Sequence, residues 1–162
     1  MADPDHRRID YAHMARVRSR PEFIAACPHC FLVRERSGSL SPDSPPEERA
    51  LEIYPVRKTQ STFSSMITVG RTANHDIVIS DVSVGAFHAY FRRDAEGLLI
   101  VDTDSRHGTF IGPRRLPAKR QERIEPGCEL RFGRATFRLV DSGRCWELLR
   151  RGALTAGGDG DA

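Results

Sequence analysis

SMITVGRTANHDIVISDVSVGAFHAYFRRDAEGLLIVDTDSRHGTFIG, residues 65–112, decides the fold. It breaks into short runs rich in β-branched and aromatic side chains: SMITVG (65–70), DIVIS (76–80), FHAYFRR (87–93), LLIVDT (98–103) and GTFIG (108–112). Apolar positions recur with period 2, the signature of strands with one face on a core. Asn74-His75-Asp76 and Asp94-Ala95-Glu96-Gly97 separate the runs, residues that favour turns over strands. Outward from this stretch the pattern continues, with LEIYPV (51–56) before it and CELRFG (128–133) and ATFRLV (135–140) after Glu125-Pro126-Gly127. Short strands separated by regular turns predict an all-β sandwich or barrel. No βαβ alternation and no glycine-rich phosphate loop appears, which argues against a nucleotide-binding α/β enzyme.

The flanks read differently. Residues 37–50, SGSLSPDSPPEERA, hold too little apolar surface to offset their ordering entropy and are expected to be a linker. The tail at 155–162 is expected to be disordered on the same ground. Residues 1–36 form an N-terminal appendage, with a polar helix predicted from Pro4 to Arg20 and pattern breaks at Pro21 and Pro28. Residues 143–154 are expected to pack back on the sandwich; Phe23, Ile24, Phe31, Leu32 and Val33 have nowhere else to bury. With 25 Lys+Arg against 22 Asp+Glu among 162 residues, the net charge is only +3. That excess excludes a bulk polyanion binder. No apolar run is long enough to span a bilayer, and the charged N-terminus lacks a signal-peptide core, so a cytoplasmic protein is expected.

Several motifs stand in a fixed order: Gly70-Arg71, Asn74-His75-Asp76-Ile77, Phe87-His88-Ala89, Val101-Asp102, Ser105-Arg106-His107-Gly108-Thr109, and Pro126-Gly127-Cys128-Glu129-Leu130-Arg131-Phe132-Gly133. This ordered set resembles the forkhead-associated (FHA) domain, over residues 51–142. The resemblance implies an FHA-type β-sandwich of about eleven strands whose loops at one end bind phosphothreonine on a partner protein. It implies no catalysis, no cofactor, and no nucleic-acid partner.

A phosphate carries close to two negative charges and three acceptor oxygens, which suits an arginine fork completed by short donors. By resemblance, Arg71 is the phosphate arginine. Arg106 and His107 stand where the family has a variable residue and an asparagine, and either can offer positive charge. Gly85 replaces a serine and Ala86 follows it, so two donors are missing; Ser83, two residues earlier, is the substitute hydroxyl. Gly112 stands at a later asparagine that in the family grips the peptide main chain. Gly70, His88, Ser105, Gly108 and Thr109 match positions that brace the loops. At about 1.5 to 3 kcal/mol per charge-assisted bond, losing two or three donors weakens phosphate binding many hundredfold. The two leading readings are therefore a phosphothreonine adaptor in bacterial Ser/Thr-kinase signalling and a degenerate scaffold that binds partners without phosphate.

Other constellations carry less. Cys27-Pro28-His29-Cys30 is half a zinc ribbon or a thiol-redox pair, and CPHC is similar to the active-site string of periplasmic thiol oxidases. The first 50 residues cannot supply that fold, and no second C-x-x-C follows, so apolar packing is the ordinary reading of Cys27 and Cys30. Arg114, Arg115, Lys119, Arg120 and Arg123 form a basic group without interleaved aromatics, a solvated face or a contact for an acidic partner surface. No nucleophile motif stands beside a Ser, His and Asp grouping, which leaves hydrolase chemistry without support.

Overall fold

The computed structural model describes residues 10–35, 51–59, 63 and 65–156. The expected linker, the first residues of the expected N-terminal helix and the end of the expected tail lie outside the described residues. Eleven strands form two sheets. The larger has the order β2 (Leu51–Pro55), β1 (Phe31–Glu35), β11 (Ala135–Val140), β10 (Glu129–Phe132), β7 (Thr109–Ile111), β8 (Arg114–Arg115). The smaller has the order β4 (Ile77–Val78), β3 (Ile67–Gly70), β5 (Ala89–Asp94), β6 (Gly97–Asp102), β9 (Glu122–Ile124). This is the expected β-sandwich of eleven strands, with three helices added to it.

Alternation along the strands turns Phe91, Ile100, Leu130, Phe132, Phe137 and Leu139 inward, all essentially without solvent exposure. Each such side chain contributes about 1.5–3 kcal/mol on burial. Phe132 meets Phe91, Phe137 and His88 at centroid separations of 6.3, 6.2 and 5.8 Å. Around this core the strands are held almost entirely in antiparallel register; β3 and β4 are the parallel pair.

The structure draws Phe31–Glu35 out of the expected appendage and into the larger sheet, between β2 and β11. Its two faces are both buried: Leu32 enters the inter-sheet core, while Phe31 and Val33 enter a second cluster under the helices. That cluster is built by α1 (Tyr11–Val17), α2 (Arg20–Ala26) and α3 (Ser142–Ala156), with Ala15, Phe23 and Cys145 at its centre. The break between α1 and α2 follows from Ser19, whose amide and hydroxyl both donate to the Glu22 carboxylate at 2.7 and 2.8 Å. Pro21 is tolerated because it falls in the first turn of α2. Asp141 caps α3 by accepting from the Arg144 amide at 2.7 Å. Trp146 Nε1 then donates to the Arg18 carbonyl at 3.0 Å, closing α3 onto the end of α1. No helix of the described residues is long and apolar enough to cross a membrane.

Candidate functional site

Four connections meet at one end of the sandwich: those after β3, after β4, after β6 and after β10. Gly70 closes the first against the second. A Cβ at this position would lie 2.2 Å from the Ala86 carbonyl oxygen and 2.4 Å from the His75 ring, so only glycine lets the chains approach. Arg71 follows at the exposed rim. Its amide donates to the Gly85 carbonyl at 3.0 Å, and its guanidinium makes one long contact, 3.3 Å, to the Val82 carbonyl. No carboxylate pairs with it among the described residues.

His88 ties these loops to the next one. It is fully buried, and its Nδ1 accepts from the Gly85 amide at 3.0 Å. The ring proton therefore sits on Nε2, which donates to the Gly108 carbonyl at 2.9 Å. Burial drives the His88 pKa down, partly offset by that bond, which keeps the ring in the neutral form this geometry needs. The loop after β6 is organised from below by Asp102, 3% exposed. Its carboxylate accepts from the Asp104 and Ser105 amides, each at 3.0 Å, and from the Ser105 and Thr109 hydroxyls at 2.5 and 2.7 Å. Ser105 Oγ in turn accepts from the Gly108 amide at 3.1 Å. With the loop core so occupied, Arg106 and His107 are left outside, exposed and without a hydrogen bond or ion pair among the described residues.

Ser83 does not take up the position expected of a substitute phosphate donor. It is 5% exposed; its hydroxyl donates to Asp81 at 2.6 Å and accepts from the Arg134 amide at 2.8 Å. Gly133 packs so closely that a Cβ there would lie 2.5 Å from the Ser83 carbonyl oxygen. The hydroxyl locks the turn after β10 to the loop after β4. Gly85 and Ala86 bring no side-chain donor, and the Gly85 amide is occupied by His88. Gly112 has φ +54° and open space where a Cβ would stand. Thr72 and Asn74, exposed beside Arg71 and joined by a 2.6 Å bond, and Arg134, exposed on the turn after β10, were not among the expected site residues. For Thr72 and Asn74 the signal lay in their nearness to Gly70-Arg71; for Arg134 it lay in a contact across 51 residues.

The structure sends Cys27 into the helical cluster and sets Cys30 against the sandwich core. Burial raises both thiol pKa values, the opposite of what a reactive thiolate requires. Among the described residues, no group of three or more His, Cys, Asp or Glu side chains could hold a metal ion.

The family model of the FHA domain matches residues 67–133, the block that carries all four loops. A protein of Corynebacterium diphtheriae named oxoglutarate dehydrogenase inhibitor is 38% identical over 73 residues, covering 45% of this chain and 48% of that protein. The protein of that name from Corynebacterium jeikeium is 38% identical over 71 residues, 44% and 46% of the two chains. The chain thus spans about half the length of the curated relatives it matches. Among solved structures, an FHA domain from Chlamydia trachomatis superposes with a TM-score of 0.50 at 22% identity, covering 69% of this chain and 97% of that one. Full-length yeast Pml1p gives 0.51 at 16%, covering 69% and 80%. Both share the fold.

Proposed function

We propose that this chain, whose residues 67–133 match the FHA domain family model, is an FHA-type module whose loop end binds a phosphothreonine-bearing protein partner, without catalysis, in bacterial Ser/Thr-kinase signalling. The observation that carries the reading is Arg71. Its main chain is anchored to Gly85, yet its guanidinium stands exposed with one long contact and no carboxylate partner among the described residues. A guanidinium held this way keeps most of its donors for an incoming phosphate, and the anchored loop has little entropy to lose on binding. Arg106 and His107, exposed on the Asp102-braced loop, are further candidate donors to the phosphate. The relatives' name suggests a 2-oxoacid dehydrogenase as the first partner to try.

One observation favours a second reading, a scaffold that binds independently of phosphate. The Ser83 hydroxyl is turned inward and Gly85 and Ala86 offer no side-chain donor, so the neutral donors beside Arg71 are few. Partner capture before and after phosphatase treatment separates the two. Capture lost on dephosphorylation supports the adaptor; capture unchanged both by phosphatase and by Arg71→Ala supports the scaffold.

A further inference from the structure

The basic group read in sequence is sorted by the fold into two kinds. Arg114 pairs with Glu122, and Arg123 with Asp94 and Glu96. Arg115 turns the other way. A Cβ on Gly108 would lie 2.6 Å from its Nε, so its guanidinium rests on the loop after β6. Strand register places Phe110 opposite Arg115 on one side and Arg131 on the other. Arg131 stacks on the Phe110 ring at 3.7 Å and donates to the Gly133 carbonyl at 2.8 Å; Arg115 lies 5.9 Å from the same ring. Arg134 follows in the adjoining turn, its amide bound to Ser83, whose neighbour Val82 accepts from Arg71. None of Arg106, Arg115, Arg131 or Arg134 has an ion-pair partner among the described residues. Asp81 feels Arg134 at longer range, but its carboxylate is already bonded to Ser83.

On the outer side of the larger sheet the helical cluster covers Phe31 and Val33 of β1 and Val140 of β11, while the face of β7, β8 and β10 carries this Arg–Phe–Arg row instead. We infer that the row is a second docking surface, for an extended acidic segment of the partner lying beside its phosphothreonine; this rests on the phosphothreonine reading above. β8 and β10 flank β7, so the main chains that carry Arg115 and Arg131 lie two strand spacings, about 10 Å, apart, while both guanidiniums lean on the Phe110 ring. With Arg134 these cations come from three different elements and exceed what one carboxylate can satisfy. An extended acidic segment supplies successive carboxylates to such a group. Stacking on Phe110 also holds the guanidinium planes in place before binding.

The test uses the full chain, phosphothreonine peptides flanked on both sides by Glu or by Gln at alternate positions, and the Arg115→Gln/Arg134→Gln double variant. Both replaced side chains are exposed, and thermal unfolding checks that the variant is folded. The Glu peptide is expected to bind wild type about ten-fold more tightly than the Gln peptide. The double variant is expected to lose that preference while keeping its dependence on phosphate and Arg71. Equal binding of Glu and Gln peptides, with phosphate and Arg71 still required, overturns this inference alone. Phosphate-independent binding that prefers Glu and is lost in the double variant supports the acidic surface and refutes the phosphothreonine reading. Equal competition by an unmodified oligonucleotide, through the same two arginines, overturns the acidic-segment assignment.

Discussion

Replacing His88 by asparagine and, separately, by glutamine takes its bridge apart one end at a time. Asparagine Oδ1 sits where histidine Nδ1 does and can still accept from Gly85; it cannot reach Gly108, whose carbonyl also accepts from the Gly133 amide at 2.9 Å. Glutamine Nε2 can still donate to Gly108 but leaves the Gly85 amide without its acceptor. Either change removes one buried hydrogen bond, about 1 kcal/mol net, and the ring that packs on Phe132, worth about another 1–2 kcal/mol. For a chain of this size, about 2–3 kcal/mol lowers the unfolding temperature by roughly 4–12 °C. The variants should part company in binding. Asparagine preserves the Gly85 anchor, and with it the loop that positions Arg71, so phosphopeptide affinity stays within about two-fold of wild type. Glutamine frees that anchor and costs about ten-fold, the equivalent of roughly 1.4 kcal/mol. Thermal scans and peptide titrations read both quantities. Unfolding at the wild-type temperature in both variants, or equal affinities, would refute the bridge as the device that couples the loops.

Gly70→Ala forces a Cβ against the Ala86 carbonyl and is expected to cost about 3 kcal/mol in denaturant unfolding; Gly112→Asn enters open space at a φ that asparagine accepts, and is expected to leave stability unchanged while tightening phosphopeptide binding about three- to ten-fold through a new main-chain contact. Burial and the nearby Arg57 and Arg93 push the His29 pKa down to about 4, so between pH 6.5 and 4 the unfolded chain takes up a proton there that the folded chain does not. Stability therefore falls as the pH drops through that window and levels off below it; His88, also shifted down by burial, acts in the same direction. His29 is only partly buried, which reduces its share to about 1–2 kcal/mol, and His29→Gln should flatten the dependence of the unfolding free energy on pH by that amount. Phe23→Ala, at the fully buried centre of the helical cluster, is expected to cost about 3–5 kcal/mol; a loss under 1 kcal/mol would show that the helices do not stabilise the sandwich.

The strands with clean alternation could be read directly: ATFRLV at 135–140 is β11 to the residue, and the runs at 65–70, 87–93 and 98–103 overlap β3, β5 and β6. Three strands carried no such signal. Phe31–Glu35 is apolar at three successive positions because both its faces are covered, which erases the period of 2. β8 is two arginines, and β9 is Glu-Arg-Ile; their place comes from pairing with β7 and β6. The site divides in the same way. Gly70, His88 and Asp102 could be located by motif because their roles depend on local spacing. The fate of the Ser83 hydroxyl depends on Arg134, far along the chain, and the Arg115–Phe110–Arg131 row exists only once β7, β8 and β10 are in register.

The phosphothreonine reading stands or falls with the exposed, loop-anchored Arg71. Calorimetric titration of a phosphothreonine peptide library against wild type and Arg71→Ala tests it most directly, with each peptide repeated after dephosphorylation. Saturable binding by wild type is expected, with at least hundredfold weaker binding after loss of either the phosphate or the arginine and no further loss when both are removed (~3 kcal/mol shared by one contact). Equal binding by both proteins, unaffected by dephosphorylation, would contradict that reading.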